Sequence, residues 1–182
     1  MAHIQVCFAA YSSDEPRLAA LIESLVNSLV SSCRERQVEP IGFLGGYRGL
    51  MKRVADALRD KGVGAVLVIP RDYEGFDEPE FAIVVRTGMD SKGRSAVLVR
   101  SCDVVVVVGG ASGTMLEALA AYGIGVPVVY LRRTGLPSDR LADAYPDGII
   151  DPRLGAGIWY TDDPREAGRL ACSLGLEKRG SR

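Results

Sequence analysis

Two glycine-rich segments, LGGYRGLM (Leu44 to Met51) and GGASGTMLE (Gly109 to Glu117), hold the residue types best suited to grip an anion. Glycines at Gly45, Gly46 and Gly49, and again at Gly109, Gly110 and Gly113, remove β-carbons, so the chain can turn sharply and bare amides can approach a phosphate. Ser112 and Thr114 add hydroxyl donors, and a third segment, AAYSS, offers Ser12. Neither glycine segment is a Walker loop, because no GK[ST] follows, and neither keeps GxGxxG spacing. Glu117 lies one turn into the helix that Gly113 would open. A carboxylate there can stabilise an oxocarbenium-like centre while positioning a water, with Arg94 neutralising phosphate or orienting the acid. Plainer roles stand beside these. Glu117 can be a first-turn acid favoured by the helix dipole, Arg94 a solvated helix-face arginine, Ser12 and Ser13 helix caps, and Tyr47 with Arg48 a turn-surface pair rather than a clamp on a base.

Other chemistries are poorly supplied. His3 is the only histidine and sits at the start of the first strand, which leaves no Ser-His-Asp triad, Cys-His pair or histidine-rich metal site. Lys52, Lys61, Lys92 and Lys178 fall on helices, in turns or near the end, so none reads as a buried Schiff-base lysine. Cys7, Cys33, Cys102 and Cys172 are far apart, each beside apolar residues and without a CxxC pair, and read as buried reduced thiols. With 22 basic and 23 acidic residues mixed along the chain, no basic patch interleaved with aromatics suggests a nucleic-acid polymer as partner. The longest unbroken valine run, Val104 to Val108, is too short to span a bilayer. No signal-peptide pattern opens the chain, and a cytoplasmic location is expected.

The elements that must position these residues alternate regularly. Strands are expected at Ile4–Ala10, Pro40–Leu44, Ala65–Pro70, Phe81–Val85, Asp103–Val108, Val126–Leu131 and Ile158–Thr161. Helices are expected from Leu18 to about Gln37, then at Arg48–Lys61, Ser91–Ser101, Thr114–Tyr122, Asp139–Ala144 and Pro164–Ser173. This spacing predicts an α/β fold, a single-domain Rossmann-like three-layer sandwich with a mostly parallel central sheet. In the 182-residue chain the domain is expected over residues 1–174, with a frayed tail at 175–182. Two connections rich in Pro, Gly and Asp, Arg71 to Pro79 and Thr134 to Arg153, are candidate lids over the carboxyl edge of the sheet, where ligands of open α/β sheets lie.

Over nearly its whole length the chain resembles the LONELY GUY and molybdenum-cofactor-carrier-like superfamily, whose members often carry the label "possible lysine decarboxylase". IQVCFAAYSS is similar to that family's first strand and turn, GGYRGLMKRVADA to its GGxxGLM segment, VLVIP to its third strand and GGASGTMLE to its PGGxGTxxE signature. RTGMDSKGRSAVLVRSCD resembles the arginine-bearing helix in the form typical of the carrier-like branch. The resemblance implies a 5′-phosphate held by Gly110, Gly113 and Thr114, with Glu117 and Arg94 as the catalytic pair of a phosphoribohydrolase. Such an enzyme would release free base and ribose 5-phosphate from a nucleoside 5′-monophosphate. The alternative is a non-catalytic carrier or sensor of a phosphorylated pterin, of molybdenum-cofactor type, or of a nucleotide. No metal or further cofactor is implied, and a homodimer or homotetramer is expected. The sequence departs from the hydrolase pattern where Gly109 replaces proline, Ala111 glycine and Ser95 lysine, changes that spare phosphate binding more than catalysis.

Overall fold

The valine run explains the centre of the molecule. In the computed structural model, which describes residues 2–75, 78–154 and 157–181, all six residues of the strand Val104–Gly109 are buried. Val104, Val106 and Val108 face one half of the core and Val105 and Val107 the other, as expected for a strand covered on both sides. Around it the order is β1 (Ala2–Ala10), α1 (Ala19–Glu35), β2 (Val38–Leu44), α2 (Gly49–Asp60), β3 (Ala65–Ile69) and β4 (Ala82–Arg86). There follow α3 (Ser91–Arg100), β5 (the valine strand), α4 (Ser112–Gly123), β6 (Val128–Leu131), α5 (Asp139–Ala144), β7 (Ile158–Thr161) and α6 (Pro164–Gly180). The seven strands form one sheet in the order β4-β3-β2-β1-β5-β6-β7, and every pair in it is parallel. Helices α1, α2 and α6 cover one face and α3, α4 and α5 the other, giving the expected three-layer single-domain sandwich.

Local chemistry sets the helix starts. Asp90 caps α3, its carboxylate accepting from Lys92 N–H at 3.0 Å and Gly93 N–H at 2.8 Å. Asp163 caps α6 by accepting from Arg165 N–H, with Pro164 in the tolerated first turn. The first helix departs from expectation. It is entered through a 3₁₀ turn, Pro16–Leu18, preceded by Glu15 with no side-chain cap, so neither Ser12 nor Ser13 caps it.

Three further differences stand out. Helix α6 runs on to Gly180, so residues 175–180 are helical rather than frayed. Leu174 and Leu176 pack on the core and Gly175 is buried against Ile4 and Val104, contacts that hold the last turns in place. Cys33 on α1 and Cys172 on α6 form a disulfide with Cα atoms 5.6 Å apart, which corrects the reading of four reduced thiols; Cys7 and Cys102 stay free and buried. The expected lid at 71–79 shows a 3₁₀ turn at Arg71–Tyr73, and its residues 76 and 77 lie outside the described residues, as do 1 and 182 of the chain ends. No helix among the described residues is long and apolar enough to cross a membrane.

Candidate functional site

Strand β1 pairs with β2 on one side and β5 on the other, and the helices that follow β1 and β5 leave for opposite faces of the sheet. This is a topological switch point, the place beyond the strand ends where open α/β sheets hold their ligands. The segments with anion-binding composition converge on it. Gly110 packs against the backbone of Tyr11, at the end of β1, and the Ser12–Ser13 backbone lies against Gly49 at the start of α2.

The turn into α4 is built tightly. Gly109 has φ of +121°, which proline, fixed near −65°, cannot adopt. A β-carbon on Gly109 would crowd Thr134 and Leu136, and one on Gly110 would overlap Thr114 Oγ1. Gly113 differs. It is exposed, its φ is not positive, and a β-carbon there would meet nothing within 4 Å. Helix α4 has no side-chain cap from Ala111, and Met115 N–H is the amide that bonds back to Ala111 C=O at 3.1 Å. The amides of Ser112, Gly113 and Thr114 therefore precede the helical ladder, at the positive end of a twelve-residue helix.

One turn further on, Glu117 is buried and already engaged. Its Oε1 accepts from Arg94 Nη1 at 3.0 Å and from Ser95 Oγ at 2.9 Å, and the side chains of Arg94 and Glu117 are each only 9% exposed. Burial pushes the Glu117 carboxyl above its ordinary range, against the lowering effects of Arg94 and Ser95. The Arg94 guanidinium lies on Gly45, where any side chain would collide with it, and its Nε is buried with no hydrogen-bond partner among the described residues. Below them, Cys7 is pushed well up by its hydrogen bond to Cys102 and by burial.

The structure thus brings Gly109, Gly110, Ser112, Gly113 and Thr114 together at the α4 terminus, with Arg94 and Glu117 paired beneath. It sets the other glycine turn to a different task. Gly45 makes room for Arg94, Gly46 lies against the Tyr73 ring, and Leu50 N–H at the start of α2 donates to Tyr11 C=O at 2.9 Å. That helix end is closed by protein backbone. Ser12 is exposed beside it. Two contributors carry no motif: Ser138, whose Oγ accepts from Gly110 N–H at 2.9 Å, and Ser95, which stands where the hydrolase pattern has lysine. Arg48 stacks over Tyr73 at 4.9 Å, and Tyr47 OH donates to Asp56 at 2.6 Å, so neither forms an open clamp.

A parallel α/β sandwich with a glycine-rich helix terminus at its switch point defines a Rossmann-like class of protein. Within that class, the chain belongs to the SLOG cluster4 family, whose profile matches residues 39–149. It is similar to the protein TM1055, known from an X-ray structure, with 30% identity over 93% of this chain and 98% of that one and a TM-score of 0.78. It also shares its fold with the molybdenum cofactor binding protein from the phototrophic bacterium Rippkaea orientalis, at 17% identity, TM-score 0.66, over 100% of this chain and 98% of that one. The molybdenum cofactor carrier protein MCP from Chlamydomonas reinhardtii is similar at 19% identity, TM-score 0.67, over 94% of this chain and 98% of that one. No curated protein matches the chain. The family is thus SLOG cluster4, and the likeness to the two molybdenum-cofactor proteins is one of fold.

Proposed function

We propose that this protein binds a phosphorylated nucleotide or pterin at the α4 terminus and carries or senses it without turning it over. The observation that carries this reading is the state of Glu117. A carboxylate meant to stabilise a developing oxocarbenium centre must face the sugar, whereas Glu117 faces inward, held by Arg94 and Ser95. The amides of residues 112–114, the Thr114 hydroxyl and the helix dipole provide the phosphate seat. Gly113 keeps it open to a ligand, since nothing in the fold requires a glycine there. The likeness to proteins described as binding or carrying molybdenum cofactor supports cargo of that chemical type. Such a molecule is ligand rather than resident cofactor.

A second reading, hydrolysis of nucleoside 5′-monophosphates by Glu117 and Arg94, is favoured by the 3.0 Å contact between those two residues. It requires Glu117 to leave Ser95 and turn outward. One experiment separates the two. The protein is incubated with adenosine, guanosine, cytidine and uridine 5′-monophosphates while free base and bound ligand are both measured. Binding without base release is the expected result, and base release that disappears in Glu117→Gln would replace the carrier reading with the enzymatic one.

A further inference from the structure

The turn that forms the seat is not held by its own residues. Two consecutive glycines, Gly109 and Gly110, lose more backbone freedom on ordering than any other pair would, and Gly110 is buried, so its amide needs an acceptor. Both needs are met from the segment joining β6 to α5. Gly110 N–H donates to Ser138 Oγ at 2.9 Å, and Ser138 N–H donates back to Gly110 C=O at 2.9 Å. Ser138 is itself anchored, its C=O accepting from Tyr130 OH at 2.7 Å. Thr134 Oγ1 donates to Asp139 at 2.8 Å, and Arg17 Nη1 donates to Thr134 C=O at 2.6 Å, tying the strap to the segment after β1. Thr134 and Ser138 are both fully buried.

We infer that Ser138 is the positioning residue of the phosphate seat: it takes the Gly110 amide out of the ligand's reach and locks the turn so that, of its amides, those of Ser112, Gly113 and Thr114 face the phosphate. The inference rests on the ligand site proposed above. It also reassigns Gly110, whose amide the family resemblance gives to the phosphate, to an internal bond. Because Ser138 is buried, its oxygen is not a placeholder that an arriving phosphate would displace. Removing it leaves a buried donor unpaired and frees a two-glycine hinge under the binding amides.

The test is a titration of the ¹⁵N-labelled full chain with inorganic phosphate, followed by amide chemical shifts and hydrogen exchange. In the wild type, the amides of Ser112, Gly113 and Thr114 move with phosphate, while Gly110 stays slow to exchange with or without it. In Ser138→Ala, Gly110 exchanges at least about tenfold faster and phosphate affinity falls about tenfold. Ser138→Thr, which keeps the hydroxyl, recovers most of both. Should Ser138→Ala not fold, Thr134→Val, which loses the bond to Asp139, is expected to speed Gly110 exchange and weaken binding to a smaller degree. Unchanged affinity in a folded variant with a fast-exchanging Gly110 overturns the inference, as does a Gly110 amide that shifts with phosphate as strongly as Gly113. Phosphate that moves none of residues 112–114 in the wild type overturns the site itself and this inference with it.

Discussion

Removing the Glu117 carboxylate tests whether its ion pair with Arg94 is built into the fold. In Glu117→Ala, Arg94 keeps its charge in a place where its side chain is 9% exposed, and its Nε already has no partner. Breaking a buried ion pair by deleting one member costs about 3–5 kcal/mol, because the remaining charge is left uncompensated. For a domain of this size each kcal/mol lowers Tm by about 2–4 °C, so a fall on the order of 10 °C is expected. A solvated carboxylate would behave differently, its loss changing stability by no more than about 0.5 kcal/mol. Urea unfolding of wild type, Glu117→Ala, Arg94→Met and the double variant Arg94→Met/Glu117→Leu measures the coupling. Each single variant should be strongly destabilised and the double variant should recover most of the loss, since replacing both charges with apolar groups is often neutral. Phosphate affinity of folded Glu117→Ala should stay within about threefold of wild type, under 1 kcal/mol. A Glu117→Ala protein as stable as wild type that has lost ligand binding would refute the reasoning.

Further outcomes follow from other contacts. Burial raises the Glu117 pKa in the folded state, so its contribution to stability is largest in acid and declines as pH rises from the unfolded glutamate value through the folded one; the stability advantage of wild type over Glu117→Gln should therefore narrow across that window in urea titrations at successive pH values. Gly113→Ala meets no neighbour, so it should raise stability by up to about 0.5–1 kcal/mol while weakening phosphate binding about fivefold, near 1 kcal/mol, as calorimetry would report. Leu116 and Leu119 are each 40% exposed on α4 and Ile83 is 68% exposed on the edge strand of the same face; sedimentation should show a homodimer or homotetramer that Leu119→Glu dissociates.

The layers of this fold were legible because they depend on local patterns. An unbroken run of valines fits a strand covered on both faces, and the alternation of strands with helices implies a mostly parallel sheet. Which glycine turn does what was less legible, since both have the composition of an anion loop. The difference lies in what fills the space around them: a guanidinium over Gly45, a tyrosine ring on Gly46 and solvent beside Gly113. Ser138 was invisible for a related reason. It lies 28 residues from its partner Gly110, in a connection whose composition suggested a lid, and no spacing rule joins the two. Ser95 looked like a lost lysine and proves to be a hydrogen-bond donor to Glu117. The pairing of Cys33 with Cys172, across 139 residues, follows from the side-by-side meeting of the first and last helices in space, which run in the same direction, and from nothing in their neighbourhoods.

That bridge turns most of the polypeptide into a covalent ring. From Cys33 to Cys172 the ring carries β2 through β7, yet the sheet it builds has a gap between β2 and β5, and β1 fills it from outside. A protease that nicks the ring once, for example in the connection between β3 and β4, leaves a single molecule whose two pieces cannot drift apart while the bridge is intact. A cut among the exposed residues Ser12 to Asp14 does the opposite, severing the middle strand of the sheet from everything else. The segment at the switch point of the sheet is thus also where the chain is least protected against losing its centre.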